Sequence, residues 1–347
     1  MRPARELRKL IDRGGVVRLR PNFVHRFYPD GNRLRQPRAM RRLWRHIPER
    51  WIASSVRADN RSPVPSGGLS FLADIDVSLR DAIRAFPREV LGEELLAAHG
   101  PEFRVLVKLL DPAAPIPFHV HATDAQVRRS PRRFPGQRFG KDEAYYFVEA
   151  PKGAIPYTHA GLFDGVTRSD LAAALARGPE AALELSPSFY QVTGEGFFVP
   201  AGVPHRPGTA LTLEIQQPSD VYTMLDGADR SALKMIDLNQ SRLAGDLQSF
   251  RLIGALRRAR GAEVATIFPR EICRKFEGER LVVSSSLTYR SDRPLVLWIL
   301  KGAAKVSGHR CDAGEEFFIT HAAGSRGIEL ERCGEEKCEA FTFMPVI

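Results

Sequence analysis

Cysteine is scarce in this chain, with four in 347 residues. Cys273, Cys311, Cys333 and Cys338 all fall in the last quarter, and none forms a Cys-x-x-Cys pair. A disulfide between Cys333 and Cys338 would have to span the turn Gly334-Glu335-Glu336; free thiols are the expectation, and nothing calls for an oxidising compartment. Long hydrophobic runs are also missing. No segment approaches the span of a bilayer, and residues 1–20 carry charges throughout with no apolar core of signal-peptide length, so the expectation is a soluble, cytoplasmic protein with no membrane partner. Lysine is rare too, at 9 of the 51 basic residues. Residues 1–50 hold 15 Arg and Lys against Glu6, Asp12, Asp30 and Glu49, and the rest of the chain is close to neutral. Such a segment can attract nucleic acid or any phosphate-bearing ligand, but a general bias towards Arg explains it as readily, which argues against nucleic acid as a partner.

What is present is an ordinary globular balance, 43% apolar and 27% charged, on a chain long enough for two moderate cores. Residues 1–20 read as a basic appendage with a short helix, Glu6 to Arg13, stopped by Gly14-Gly15. Strand patterns follow at Val16 to Tyr28 and Glu49 to Val56, then a Pro/Gly/Ser loop at Ser62 to Gly68. Helical spacing fills 78–99, and Phe103 to Leu110 reads as a buried strand. From Asp111 the pattern is strands with turns, interrupted by an Arg-rich loop, Arg128 to Arg138, and by an alanine-rich helix at 167–185 with Ser169 as its expected cap. The expected units are a β domain over 21–229 with helical insertions at about 78–99 and 167–185, a helical connector at 230–261, and a second β domain at 262–347. Cys311-Asp312-Ala313-Gly314-Glu315-Glu316-Phe317-Phe318-Ile319 echoes Gly194-Glu195-Gly196-Phe197-Phe198-Val199, which suggests two β-barrels of one type.

Within the β region, Phe118-His119-Val120-His121 places two imidazoles two residues apart. On a strand that spacing sends both to one face, and convergent imidazoles suit a metal. Lys141, Glu143 and Tyr145 share a face of the following strand. Thr212, Glu214 and Gln216 alternate with Leu211, Leu213 and Ile215. Short strands between Gly and Pro turns, with a late Gly-x-x-Phe-x-x-Pro-x-x-x-x-His element, indicate a mainly β jelly roll. Three His and a Glu meeting at its mouth would make a closed zinc site or an open octahedral site for manganese, iron, cobalt or nickel. Each also has an ordinary reading: histidines satisfied within a sheet, Glu143 paired with the loop arginines, His205 in a turn, Glu214 solvated on an edge. His25, His46, His99, His159, His309 and His321 have no partner at ligand spacing.

These segments together resemble the class I mannose-6-phosphate isomerases, zinc-dependent members of the cupin superfamily. The resemblance is carried by Pro48-Glu49-Arg50-Trp51-Ile52-Ala53-Ser54-Ser55, Leu106-Val107-Lys108-Leu109-Leu110-Asp111, the His-x-His strand, Phe139-Gly140-Lys141-Asp142-Glu143-Ala144-Tyr145, Val199-Pro200-Ala201-Gly202-Val203-Pro204-His205 and Leu213-Glu214-Ile215-Gln216-Gln217-Pro218-Ser219-Asp220. It implies a cupin double-stranded β-helix followed by a looser jelly-roll-like C-terminal domain. It further implies a metal, zinc by expectation, on His119, His121, Glu143 and His205, with Lys141 beside the substrate and Glu214 handling the proton. The implied substrate is a sugar or sugar phosphate, converted between aldose and ketose through a cis-enediol. Three positions depart from the family. His119 stands where Gln is usual, Pro117 where a Ser is usual, and Met224 where an Arg important for catalysis ends a Ser/Thr-Asp-x-Thr-x-Arg element. A thioether does not replace a guanidinium, and Arg206 is the candidate substitute. Two alternatives stay open: a metal-binding cupin that serves as a sugar-binding or regulatory module without isomerising, and a cupin oxygenase.

Overall fold

The computed structural model describes residues 2–60, 67–153, 155–226, 231–246 and 256–347. Residues 62–66 of the expected loop and 247–255 of the expected connector lie outside these. Four antiparallel sheets make up the β framework. In the first half, a six-stranded sheet runs in the order Asn22–Val24, Glu49–Ile52, Leu106–Leu110, Leu211–Gln216, Glu143–Glu149 and Gly196–Val199. Facing it, a five-stranded sheet runs Thr223–Met224, His119–Val120, His205–Arg206, Tyr157–Ala160 and Ser188–Tyr190. The second half pairs a seven-stranded sheet with a four-stranded one. This is the jelly-roll arrangement expected twice over.

Period-two alternation decides where each face goes. In Leu211–Gln216, Leu213 and Ile215 join the main apolar core, while Glu214 turns to the opposite side. That core extends across to Phe268, Phe276, Trp298, Phe341 and Phe343 of the seven-stranded sheet, so the two halves are packed together through buried aromatic surface. The core of the second half is apolar, built on residues such as Leu281, Leu297, Ile319 and Leu330. The sequence echo is real in form. Gly194 and Gly314 both adopt positive φ in turns that lead into Gly196–Val199 and Glu316–Ile319, a conformation glycine takes without strain.

Residues 1–20, expected as an appendage, are tied into the fold. The helix Arg2–Asp12 buries Leu7 and Ile11, and Val16–Leu19 pairs with Glu316–Ile319 of the second half. The reason is that the helix, though charged, keeps Leu7 and Ile11 four residues apart on one face. The alanine-rich insertion forms the helices Arg168–Arg177 and Pro179–Leu183, capped not by Ser169 but by Thr167. Thr167 Oγ1 accepts from the Asp170 amide at 3.2 Å and the Asp170 side chain accepts from the Thr167 amide at 2.9 Å, a reciprocal capping box. The connector contains a short 3-10 turn, Ala232–Met235, and the helix Leu238–Asp246, and becomes strand at Leu256–Ala259. All four cysteines are free thiols. Among the described residues no helix is long and apolar enough to cross a membrane.

Candidate metal centre

His119 and His205 sit directly opposite each other in the five-stranded sheet, and His121 follows one residue beyond the strand end. The turn before His205 is fixed from both sides. Gly202, at φ +90°, donates its amide to the His121 carbonyl at 2.9 Å, and the Ala201 amide donates to Asp142 Oδ1 at 2.7 Å. Glu143 opens its strand in the facing sheet. The four side chains therefore arrive from two sheets at one point.

Each imidazole has its Nδ1 on a backbone carbonyl. His119 Nδ1 lies 2.6 Å from the Pro117 oxygen, His121 Nδ1 2.9 Å from that of Val221, and His205 Nδ1 2.9 Å from that of Val203. A carbonyl only accepts, so Nδ1 carries the proton and each Nε2 presents a lone pair. Ligand atoms of the three histidines all lie within 4.8 Å of one another. His205 Nε2 is fully buried and makes no hydrogen bond, although Glu143 Oε1 stands 2.9 Å away. Two lone-pair-bearing atoms facing each other at that distance fit a divalent cation between them. Burial, aided by the neighbouring His205 and His121, holds the His119 pKa well below the usual imidazole range; burial and then Lys141 take His121 down to about 3. Both rings are thus in the neutral form that a metal needs. Burial would raise the Glu143 pKa, but Lys141 first and then His121 and His205 outweigh it, so the carboxylate is held ionised.

Beside this set lies a network of buried charges. Lys141 Nζ stands 2.7 Å from Glu143 Oε2 and 3.4 Å from Glu214 Oε1. Lys108 Nζ stands 3.1 Å from Asp220 Oδ1 and 3.7 Å from Glu214 Oε1. Arg26 reaches in from the N-terminal segment, with Nη2 2.8 Å from both Asp220 oxygens and Nε 2.9 Å from Glu49 Oε1. Glu49 also accepts from Tyr28 at 2.5 Å and from Trp51 Nε1 at 2.6 Å. Burial raises the Glu214 pKa, partly offset by Lys141 and reinforced by Glu143. For Lys141 burial works downward, but Glu143 and Glu214 prevail and keep it a firm cation.

Of the residues expected at the site, His119, His121, Glu143, His205, Lys141 and Glu214 are brought together, and Arg206 is not. Strand alternation turns Arg206 to the face opposite His205, where Nη1 pairs with Glu180 at 3.2 Å. Met224, by contrast, lines the cleft. The Arg128 to Arg138 loop contributes nothing to the lining; Arg138 pairs with Glu102 instead. Sequence reasoning missed Arg26, Glu49, Lys108 and Asp220. The signal for Lys108 was there, since a charge inside the strand Leu106–Leu110 demands a buried partner.

No protein-family model matches the chain, and no curated protein matches it in sequence. Solved structures do match in fold. A protein from Archaeoglobus fulgidus to which a mannosephosphate isomerase function has been ascribed superposes with a TM-score of 0.71 at 16% identity, over 96% of this chain and 98% of that one. The mannose 6-phosphate isomerase of Bacillus subtilis gives 0.68 at 18% identity, over 95% and 99%. A point variant of the phosphomannose isomerase from Salmonella typhimurium gives 0.71 at 13% identity, over 96% and 100%. The chain therefore has, along nearly its whole length, the cupin-type fold of the phosphomannose isomerases.

Proposed function

We propose that this protein is a metal-dependent aldose–ketose isomerase similar to mannose-6-phosphate isomerase, working through a cis-enediol. The observation that carries the reading is the convergence of three Nε2 lone pairs and Glu143 beside a second carboxylate, Glu214, whose Oε1 is buried and makes no hydrogen bond. His119, His121, Glu143 and His205 would hold the ion, with zinc expected from the His/Glu donor set. When bound, a divalent ion supplies Lewis-acid polarisation of the substrate's carbonyl and neighbouring hydroxyl.

The protein's own residues divide the remaining work. Glu214, whose pKa is raised by burial and whose Oε1 makes no hydrogen bond though Lys141 and Lys108 stand 3.4 and 3.7 Å from it, is the better general base: it takes the proton from C2 of the aldose and returns it to C1. Lys141, kept positively charged by Glu143 and Glu214, is suited to donate a hydrogen bond to the developing oxyanion and not to accept the proton. The hydroxyl proton passes from O2 to O1, so no net proton is gained or lost. Lys108, itself paired with Asp220 at 3.1 Å, stands 3.7 Å from the Glu214 oxygen that Lys141 also approaches.

The experiment is metal analysis of the purified protein alongside an isomerase assay on mannose 6-phosphate and free mannose. Turnover of either with a stoichiometric metal supports the reading; a metal-loaded protein that turns over no sugar sinks it. Two other readings rest on the same donor set. Met224 at the cleft favours a sugar-binding or regulatory cupin that does not isomerise, and turnover separates the two. Three His and one Glu also suit an oxygenase using iron, copper or nickel, which metal identity separates.

A further inference from the structure

The charge of the cleft bears on the class of substrate, a question that rests on the isomerase reading. Three cations line the cleft above the histidines: Arg26, Lys108 and Lys141. All three are already matched by carboxylates at 2.7–3.1 Å, Arg26 and Lys108 by Asp220 and Lys141 by Glu143. Against them stand four buried carboxylates, Glu49, Glu143, Glu214 and Asp220. With neutral imidazoles and a divalent ion in place, the formal balance is a single net positive charge. Transfer of the C2 proton to Glu214 leaves the total for site plus substrate unchanged, and a surplus of one falls short of a phosphate dianion. A phosphate dianion in the same space would meet only cations already paired with carboxylates and would lie among those carboxylates, which is costly at low dielectric.

The rim is of a different character. Of its apolar lining, Phe27, Ile116, Tyr222 and Met224 reach solvent, and Pro207 joins them from a buried position. The Phe27 and Tyr222 rings are 6.2 Å apart and partly exposed, at 52% and 38%. Such a rim suits the C–H faces of a sugar ring and offers a terminal phosphate no charge partner. Arg206 is turned away towards Glu180. Arg57 and Arg133 line a separate depression that shares only Tyr222 with the cleft.

We propose that the site takes a neutral, unphosphorylated aldose or ketose, with its C1–C2 end at the metal centre and its far end against Phe27, Tyr222 and Met224. The test is calorimetric binding to the zinc-loaded protein of mannose, glucose and lyxose, each against its own terminal phosphate at constant ionic strength. At least one free sugar is expected to bind about tenfold tighter than its phosphate. Equal or tighter binding of every phosphate, or no binding of any free sugar, overturns the proposal. Met224→Arg is the second arm: a guanidinium at the rim is expected to raise affinity for the preferred sugar's phosphate about tenfold. Unchanged phosphate affinity in that variant overturns the placement of the far end. The two readings fail separately. Efficient turnover of mannose 6-phosphate with poor turnover of free sugars overturns the substrate class and keeps the isomerase; preferential binding of free sugars without turnover does the reverse.

Discussion

Met224 lies directly across from His119 in the antiparallel pair that joins Thr223–Met224 to His119–Val120. A thioether is thus the neighbour of a metal-ligand candidate on the five-stranded wall. Glu214, the proposed base, and Glu143, the fourth proposed ligand, belong to the opposite sheet.

The ligand assignment is tested by removing rings one at a time. His121→Ala and His205→Ala are each expected to lose the metal during dialysis, measured by elemental analysis. His119→Gln, which keeps a donor atom at the same place, is expected to retain it. Full metal content in both alanine variants would remove the centre from its proposed position.

Glu214→Gln is expected to lower kcat by about 10²- to 10⁴-fold with the metal still bound. A base must be ionised to accept a proton, and burial has raised the pKa of this one. Wild-type activity should therefore fall as pH drops through that raised value. The same acid limb in a residual Glu214→Gln activity would assign the proton to another group.

Arg206→Ala should change kcat/KM by less than about twofold, because its guanidinium faces Glu180 away from the cleft and a surface pair of this kind is worth little. A loss beyond about tenfold would mean that the side chain swings inward during turnover.

Much of this centre was legible because β-strand parity is rigid. The two-residue spacing of His119 and His121, and the alternation through Glu214, each place a side chain on a known face. The same parity rules out Arg206 as a substitute for the missing guanidinium, since adjacent residues of one strand cannot both face the cleft and His205 already does. Arg26 was not legible. It sits in a segment crowded with arginines, some paired at the surface, as Arg8 with Glu89 and Arg20 with Asp76, and others buried elsewhere, as Arg33 with Asp111 and Arg50 with Glu316. Only the folded position beside Asp220, distant in sequence, distinguishes it. Ser169 misled because any hydroxyl before an acidic residue resembles a cap; Thr167 wins because Asp170 lies three residues on, where the reciprocal bond closes.

Asp220 gives a stability prediction. Burial would push its carboxyl up, but Arg26 first and Lys108 next hold it down to about 2, against an ordinary value of 3.8. A depressed carboxylate stabilises the fold fully above its unfolded pKa and loses that contribution as pH falls through the folded value. Urea midpoints should drop between about pH 4 and pH 2, with roughly 2 kcal/mol attributable to this group. Asp220→Asn should be less stable at neutral pH and should flatten that slope. An unchanged slope would place the acid sensitivity elsewhere.

Lys275 immediately precedes the strand Phe276–Val283 of the second half, yet its ammonium lies 3.0 Å from Asp124 and 2.9 Å from Asp142 in the first. Asp142 separates Lys141 from Glu143 and also grips the turn before His205. The second half has an apolar core and, among the described residues, no cluster of metal-ligating side chains, and its Lys275 braces the segment that carries Lys141 and Glu143. Deleting the second half would take Lys275 away from Asp124 and Asp142. Any attempt to transplant this chemistry into a smaller scaffold has to carry a substitute for Lys275 along with the four ligands.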